Sequence, residues 1–276
     1  SEAQAFTIAW LSDTQNYHNA YKPIFDGMTQ WIADNRAALD IRFVFHTGDV
    51  VGSWSSEDQW RQARESMDIL SGASIPFLAA CGNHDIGYRM NYANFLKYVL
   101  SLRPASMSQE YGDTGSRYEL FSANGRDYIF MGIAFSNKGP GEDEVNWING
   151  VLRQYSSRDA IIITHSYLKK SAAYTTQGKA IFEKIVKANP NVFLVLCGHC
   201  RDISYKNVQL DDDGDGDPDR TVYAILSNFQ GSKAGGGGYM RILDFRDSDI
   251  YIYTYSPYYD SCEYPKGKTE ATVPLP

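Results

Sequence analysis

Apolar runs of five or six residues recur along the chain, and each stops at small polar or ionisable side chains. Phe6–Leu11 runs into Ser12-Asp13-Thr14-Gln15, and Ile41–Phe45 into His46-Thr47-Gly48-Asp49. Ile75–Ala80 runs into Cys81-Gly82-Asn83-His84-Asp85, Ala160–Thr164 into His165, and Val192–Leu196 into Cys197-Gly198-His199-Cys200. Runs this short and this continuously apolar read as strands buried on both faces, the habit of parallel sheets.

Helical spacing fills the gaps. From Pro23, a residue suited to a helix's first turn, Ile24, Met28, Trp31, Ile32 and Leu39 keep one apolar face to about residue 38. Ser56-Glu57-Asp58 opens a second helix carrying Trp60, Ala63, Met67 and Leu70. Tyr92–Leu100, Glu142–Tyr155 and Gln177–Ala188 are further helices, the last stopped by Asn189-Pro190. The opening third therefore reads β-α-β-α-β, which calls for a parallel sheet with right-handed crossovers. Arg117–Ser122 and Tyr128–Phe135 alternate around Asn124-Gly125, a hairpin signal. From about residue 200 the pattern is all β: Asp202–Leu210, Thr221–Leu226, Tyr239–Phe245 and Ile250–Tyr255. Neither an internal repeat nor a linker divides residues 1–276, so one domain with a β-rich C-terminal part is expected.

Composition narrows the classes. At 276 residues, 43% hydrophobic and 21% charged, the chain can bury a substantial core. A net charge of −7 without a Lys/Arg run leaves no nucleic-acid-binding surface evident. No apolar stretch approaches the roughly 20 residues of a membrane span. Four cysteines do not make a disulfide scaffold. The chain opens on Ser1 without a Met or a signal peptide, as a trimmed mature chain would. Its 20 tyrosines and an Asp/Gly loop lean toward a secreted or cell-surface protein.

The chemistry sits at the strand ends. Of five histidines, at positions 18, 46, 84, 165 and 199, three (His84, His165 and His199) stand just past a strand, with Asp13, Asp49 and Asn83 in matching places. His46 lies just before Gly48-Asp49 and reads as a core histidine. Strand C-termini are where open α/β sheets bind ligands. The order Asp13-Thr14-Gln15, Gly48-Asp49, Gly82-Asn83-His84-Asp85, His165 and Gly198-His199-Cys200-Arg201 resembles the calcineurin-like metallophosphoesterase superfamily, in an Asp-Thr-Gln variant, over roughly residues 6 to 255.

The resemblance implies a four-layer α/β/β/α sandwich with mixed sheets and a two-metal site. Asp49 would bridge, and one metal would take Asp49, Asn83, His165 and His199. The other would take Asp13, Asp49 and Gln15, because the family's two histidines there are replaced by Gln15 and Arg201. An amide oxygen is a weaker donor than imidazole, and a guanidinium does not ligate. Arg201 is instead matched to phosphate oxygens. His84 would stabilise the phosphate or act as general acid, and Asp85 would orient His84 or cap the loop. The implied activity is hydrolysis of a phosphate mono- or diester by a metal-bound hydroxide. Nitrogen and oxygen ligands without thiolate suit Mn, Fe, Zn or Co. The substrate would be a small-molecule or macromolecular phosphate ester. The alternative is a catalytically weak metal- and phosphate-binding protein of the same fold.

Two signals compete. Cys197-Gly198-His199-Cys200 is also a dithiol pattern, but a redox dithiol belongs at a helix N-terminus and strand-like residues follow here. Asp211, Asp213, Asp215, Asp217 and Asp219, with Gly216 at the sixth position, resemble a calcium-binding loop without its final glutamate. Such a loop is expected to stiffen the chain near the site.

Overall fold

The computed structural model describes residues 5–102, 109–112 and 114–276. β1 (Phe6–Leu11), β2 (Ile41–His46) and β3 (Phe77–Ala79) alternate with α1 (Lys22–Asp34) and α2 (Glu57–Gly72). A short α3 (Ala93–Tyr98), β4 (Gln109–Tyr111), the hairpin β5 (Ser116–Ala123) and β6 (Arg126–Ile133), and α4 (Glu142–Gln154) follow. Next come β7 (Asp159–Thr164), α5 (Thr176–Ile181) and β8 (Val192–Cys197). β9 (Asp202–Leu210), β10 (Arg220–Asn228), β11 (Met240–Phe245), β12 (Asp249–Tyr255) and β13 (Ala271–Pro274) complete the chain.

The strands form two mixed sheets, ordered β13-β12-β11-β1-β2-β3 and β4-β5-β6-β7-β8-β10-β9. β1, β2 and β3 are mutually parallel, as are β6, β7 and β8. Side-chain alternation divides each central strand between two cores. Ile8 and Trp10, Phe43 and Phe45, Phe130, Ile161 and Leu194 meet between the sheets. Ala9, Leu11 and Val44 face α1 and α2, while Met131, Ile162 and Val195 face α4 and α5. The result is the four-layer α/β/β/α sandwich. Phe130 locks the sheets edge-on, its ring 5.0 Å from Phe43 and 4.9 Å from Phe45. Burial on both faces is why the runs are continuous rather than alternating.

The hairpin turns on Asn124 (φ 53°) and Gly125 (φ 74°), the positive pair that a tight two-residue turn requires. The strands after residue 200 join both sheets: β9 and β10 one, β11 to β13 the other. Several boundaries differ from the spacing. α1 stops at Asp34 because Asn35 turns back on the Trp31 carbonyl through both its backbone and side-chain N–H. The last helix tightens its start on Thr175, whose Oγ1 accepts from Gly178 N, and loosens into a π-helical stretch at Phe182–Val186. β13 carries too little apolar pattern to be read and pairs at the sheet edge, where its proline is tolerated.

Candidate metal centre

The strand ends converge at one rim. His165, after β7, reaches across to the other sheet, where its Nδ1 sits 2.8 Å from the Thr47 carbonyl after β2. A carbonyl only accepts, so Nδ1 carries a proton and Nε2 turns inward, bare once the ring is neutral. Around Nε2 lie Asn83 Oδ1 at 3.1 Å, Asp49 Oδ2 at 3.2 Å and His199 Nδ1 at 3.2 Å. Asp49, His165 and His199 bring ligand atoms within 4.8 Å of one another. Two oxygens and two imidazole nitrogens this close need a proton or a cation among them. These residues fit a divalent cation. Asn83 supplies the fourth donor, from a different strand.

Asp49 divides its two oxygens. Oδ1 accepts the backbone N–H of His84 at 2.9 Å, and Oδ2 faces both His165 and, at 3.4 Å, Gln15 Nε2. One oxygen, Oδ2, lies toward both halves of the site, while the other is held by backbone. Asp13, after β1, is buried against the His199 end, where Ser12 Oγ donates to Oδ2 at 2.5 Å and His199 N donates at 3.2 Å. Gln15 is buried and clasped by Gln230, whose Oε1 takes the Gln15 amide N–H. Gln230 was not legible in the sequence, because it follows β10 in irregular chain with no spacing to mark it. Its neighbour Asn228 donates to the His199 carbonyl at 3.0 Å, so one loop steadies both sides of the centre. Arg201 is exposed and makes neither a hydrogen bond nor an ion pair among the described residues.

Charge is crowded. Burial opposes ionisation of Asp49, yet the charge and hydrogen bond of His165 hold its carboxyl below the ordinary range. Burial, with Asp49 adding to it against the pull of His165, pushes Asp13 up to about 7. Burial also works against a charge on His165, but Asp49 overrides it and lifts the imidazole to about 9. Burial and His165 together press His199 down to about 4. The pocket thus tolerates one carboxylate balanced by one proton, and further anionic charge calls for a cation.

The motif glycines exist because carboxylates rest on them. A Cβ on Gly82 would overlap Asp49 Oδ1, and one on Gly198 would overlap Asp13 Oδ2 and Ser12 Oγ. Asp13 (φ 51°), Asp49 (φ 53°) and His199 (φ 69°) adopt left-handed backbone, unusual for non-glycine residues.

His84 is exposed, with Nδ1 donating to Gly52 O at 2.9 Å and Nε2 left for an outside partner. Asp85 does not orient His84. Its oxygens take Gly82 N at 2.7 Å and Val51 N at 3.1 Å, so it caps the loop, and burial with Asp49 nearby pushes it up to about 8. His46 is a core histidine: fully buried, accepting Gly48 N at Nδ1 and donating from Nε2 to Thr14 Oγ1 at 3.0 Å.

A sequence profile described as calcineurin-like phosphoesterase matches residues 6–200. The chain belongs to the calcineurin-like phosphoesterases. It is 41% identical over 259 residues to uncharacterized protein YvnB of Bacillus subtilis (strain 168), covering 92% of this chain and 20% of YvnB. The chain thus spans about a fifth of that relative's length. Its fold is shared with a dimetal phosphatase from Danio rerio (TM-score 0.66, 11% identity, 99% of each chain). It is shared equally with a purple acid phosphatase from yellow lupin, Lupinus luteus (TM-score 0.65, 13% identity, 99% of this chain and 54% of that one). Calcineurin-like phosphoesterases are metal-dependent hydrolases of phosphate esters, and Asp49, His165 and His199 form the corresponding metal-type cluster here.

The competing signals fall elsewhere. Cys197 is buried and Cys200 half-buried, and both are free; burial pushes Cys197 up to about 12 and raises Cys200 as well. β9, not a helix, follows them, so the thiols lack what activates a redox dithiol. In the Asp/Gly loop, Asp211, Asp213 and Asp215 bring carboxylates together, exposed, while Asp217 N donates to Asp215 and Asp219 accepts from Asp212 N. The loop joins the far ends of β9 and β10. Nine-residue strands place it about 30 Å from His199 and Asn228, which corrects the expectation that it lies near the site. No helix among the described residues is long and apolar enough to cross a membrane.

Proposed function

We propose that this chain hydrolyses phosphate mono- or diesters at a centre held by Asp49, Asn83, His165 and His199. A second, weaker cation position lies toward Asp13 and Gln15. One observation carries the reading: the inward Nε2 of His165 meets Asn83 Oδ1, Asp49 Oδ2 and His199 Nδ1 across two sheets. With nitrogen and oxygen donors and thiols kept protonated, Mn, Fe, Zn or Co suits it. When bound, such a cation offsets the ester's charge and lowers the pKa of water from 15.7 to about 7.

The chain's own residues do the rest. Asp49 Oδ2, turned to both His165 and Gln15, would be the oxygen nearest both cation positions, and His84 N, bonded to Oδ1, fixes the carboxylate's rotation. The Thr47 carbonyl sets the His165 tautomer, and Asn228 braces His199. His84 Nε2, exposed above the centre, is placed to contact a phosphate oxygen or return a proton to the leaving group. Asp85 shapes the loop that carries Asn83 and His84. Arg201 offers an unpaired guanidinium to the substrate's charge.

The binding-only alternative draws on one feature: Gln15 presents an amide N–H, not an oxygen, toward Asp49, which weakens the second position. The test is turnover of p-nitrophenyl phosphate and bis-p-nitrophenyl phosphate after chelation and return of Mn²⁺ or Zn²⁺. Metal-restored turnover that falls by roughly 100-fold or more in Asp49→Asn and His165→Ala supports hydrolysis. Turnover that survives both substitutions removes it. Metal binding without turnover selects the alternative.

A further inference from the structure

On the Gln15 side of the centre lies a second recess of about 520 Å³, lined by Gly231, Lys233, Tyr239, Tyr259, Tyr264 and Lys266 among others. Its wall is aromatic. Tyr239 and Tyr264 are buried with Phe229 in a cluster of their own, outside the three main cores. Their ring centroids are 5.1 Å apart and the planes nearly perpendicular, at 82°. Tyr259 stands at the mouth, 44% exposed, with its ring 5.7 Å from Tyr239. Lys233 and Lys266 are exposed, and neither is in an ion pair among the described residues.

The recess is tied to the centre by one loop. Asn228 holds the His199 carbonyl, Gln230 clasps Gln15, and Gly231 lines the recess. A Cβ on Gly231 would stand 3.5 Å from Arg201 Cδ, so Arg201 lies beside this lip. Counting along Gln15 and Gln230, the lip is within about 15 Å of Asp49.

Tyrosine faces take flat rings in stacking contact. Two lysines at the mouth oppose a cationic ligand and favour one that carries negative charge. We propose that the recess holds the ring of a nucleotide-like phosphate ester, stacked on the tyrosines, with Lys233 and Lys266 at the mouth drawing in its negative charge. The scissile phosphate would lie toward Arg201 and the metal centre. This placement of the scissile group rests on the phosphoesterase reading; the ring site does not.

The experiment is calorimetric titration of adenosine 5′-monophosphate and ribose 5-phosphate into the full chain stripped of metal with chelator. Wild type should bind the adenosine compound about tenfold tighter or more. Tyr259→Ala, and separately Lys233→Ala with Lys266→Ala, should each weaken it about tenfold, while Asp213→Ala, on the distant Asp/Gly loop, stays within about twofold. All these substitutions fall on exposed side chains, where folding is little disturbed. Equal binding of the two compounds, or unchanged binding in the recess variants, overturns the proposal. With turnover, the recess variants should raise KM about tenfold for the p-nitrophenyl ester of thymidine 5′-monophosphate and leave p-nitrophenyl phosphate within about twofold. Absent turnover with the binding pattern intact would sink the phosphoesterase reading and still support the recess.

Discussion

Replacing Gly82 or Gly198 by alanine perturbs the centre without removing a single ligand. Neither glycine has a positive φ, so alanine brings no backbone strain, only volume. That volume lands on the site: at Gly82 the new methyl overlaps Asp49 Oδ1 and its backbone N, and at Gly198 it overlaps Asp13 Oδ2. One extra methyl in a packed interior costs about 1–3 kcal/mol, which for a chain of this size lowers Tm by about 2–10 °C. The carboxylate has to give by around 1 Å, and a misplacement of that size costs about 100-fold in rate. Gly27→Ala is the control, because a Cβ in the middle of α1 meets nothing within 4 Å. It should keep full activity and gain about 0.5–1 kcal/mol. The assay is kcat/KM on p-nitrophenyl phosphate with saturating Mn²⁺, beside thermal melts of all three variants. If Gly82→Ala folds and stays within about threefold of wild type, the carboxylate is not positioned by that glycine and the steric account fails.

Other consequences are testable in the same preparations. A proton held on His165 by Asp49 up to about pH 9 must leave before a cation enters, so Mn²⁺ affinity should rise by up to about tenfold per pH unit below 9. A pH-independent affinity in calorimetry would contradict this. His46 is pressed by burial, then by His165, from 6.5 to about 3. Its neutral form therefore contributes stability that is complete above pH 6.5 and declines as pH falls toward 3, by about 1.4 kcal/mol per unit. Denaturant melts at pH 6.5 and 5 should show a drop in wild type about 2 kcal/mol larger than in His46→Gln; equal drops would refute it. Asp213→Ala with Asp215→Ala, about 30 Å from His199, should leave kcat/KM within about twofold.

Much of this was written in the residues, for a physical reason. A strand buried on both faces must be continuously apolar, so its end is abrupt, and what stands past it, such as His165 or Asn83, is conspicuous. Asn124-Gly125 was equally plain, since few pairs accept two positive φ values. Leu39 extended the apparent period of α1 although the helix had already turned at Asn35, because apolar packing continues through the turn. The role of Asp85 stayed open until its two backbone partners were seen. Gln230, 215 residues from the Gln15 it clasps, and the shared use of Asp49 Oδ2 come from loops folded together from distant sequence, which no local period encodes.

The most direct measurement is the metal content of chelator-stripped protein after equilibrium dialysis against Mn²⁺, read by elemental analysis on wild type, Asp49→Asn and His165→Ala. At least about one ion per chain in wild type, and much less in both variants, is the outcome that convergent donors on two sheets require. Equal metal content in all three proteins, or none in any, would contradict the proposed centre.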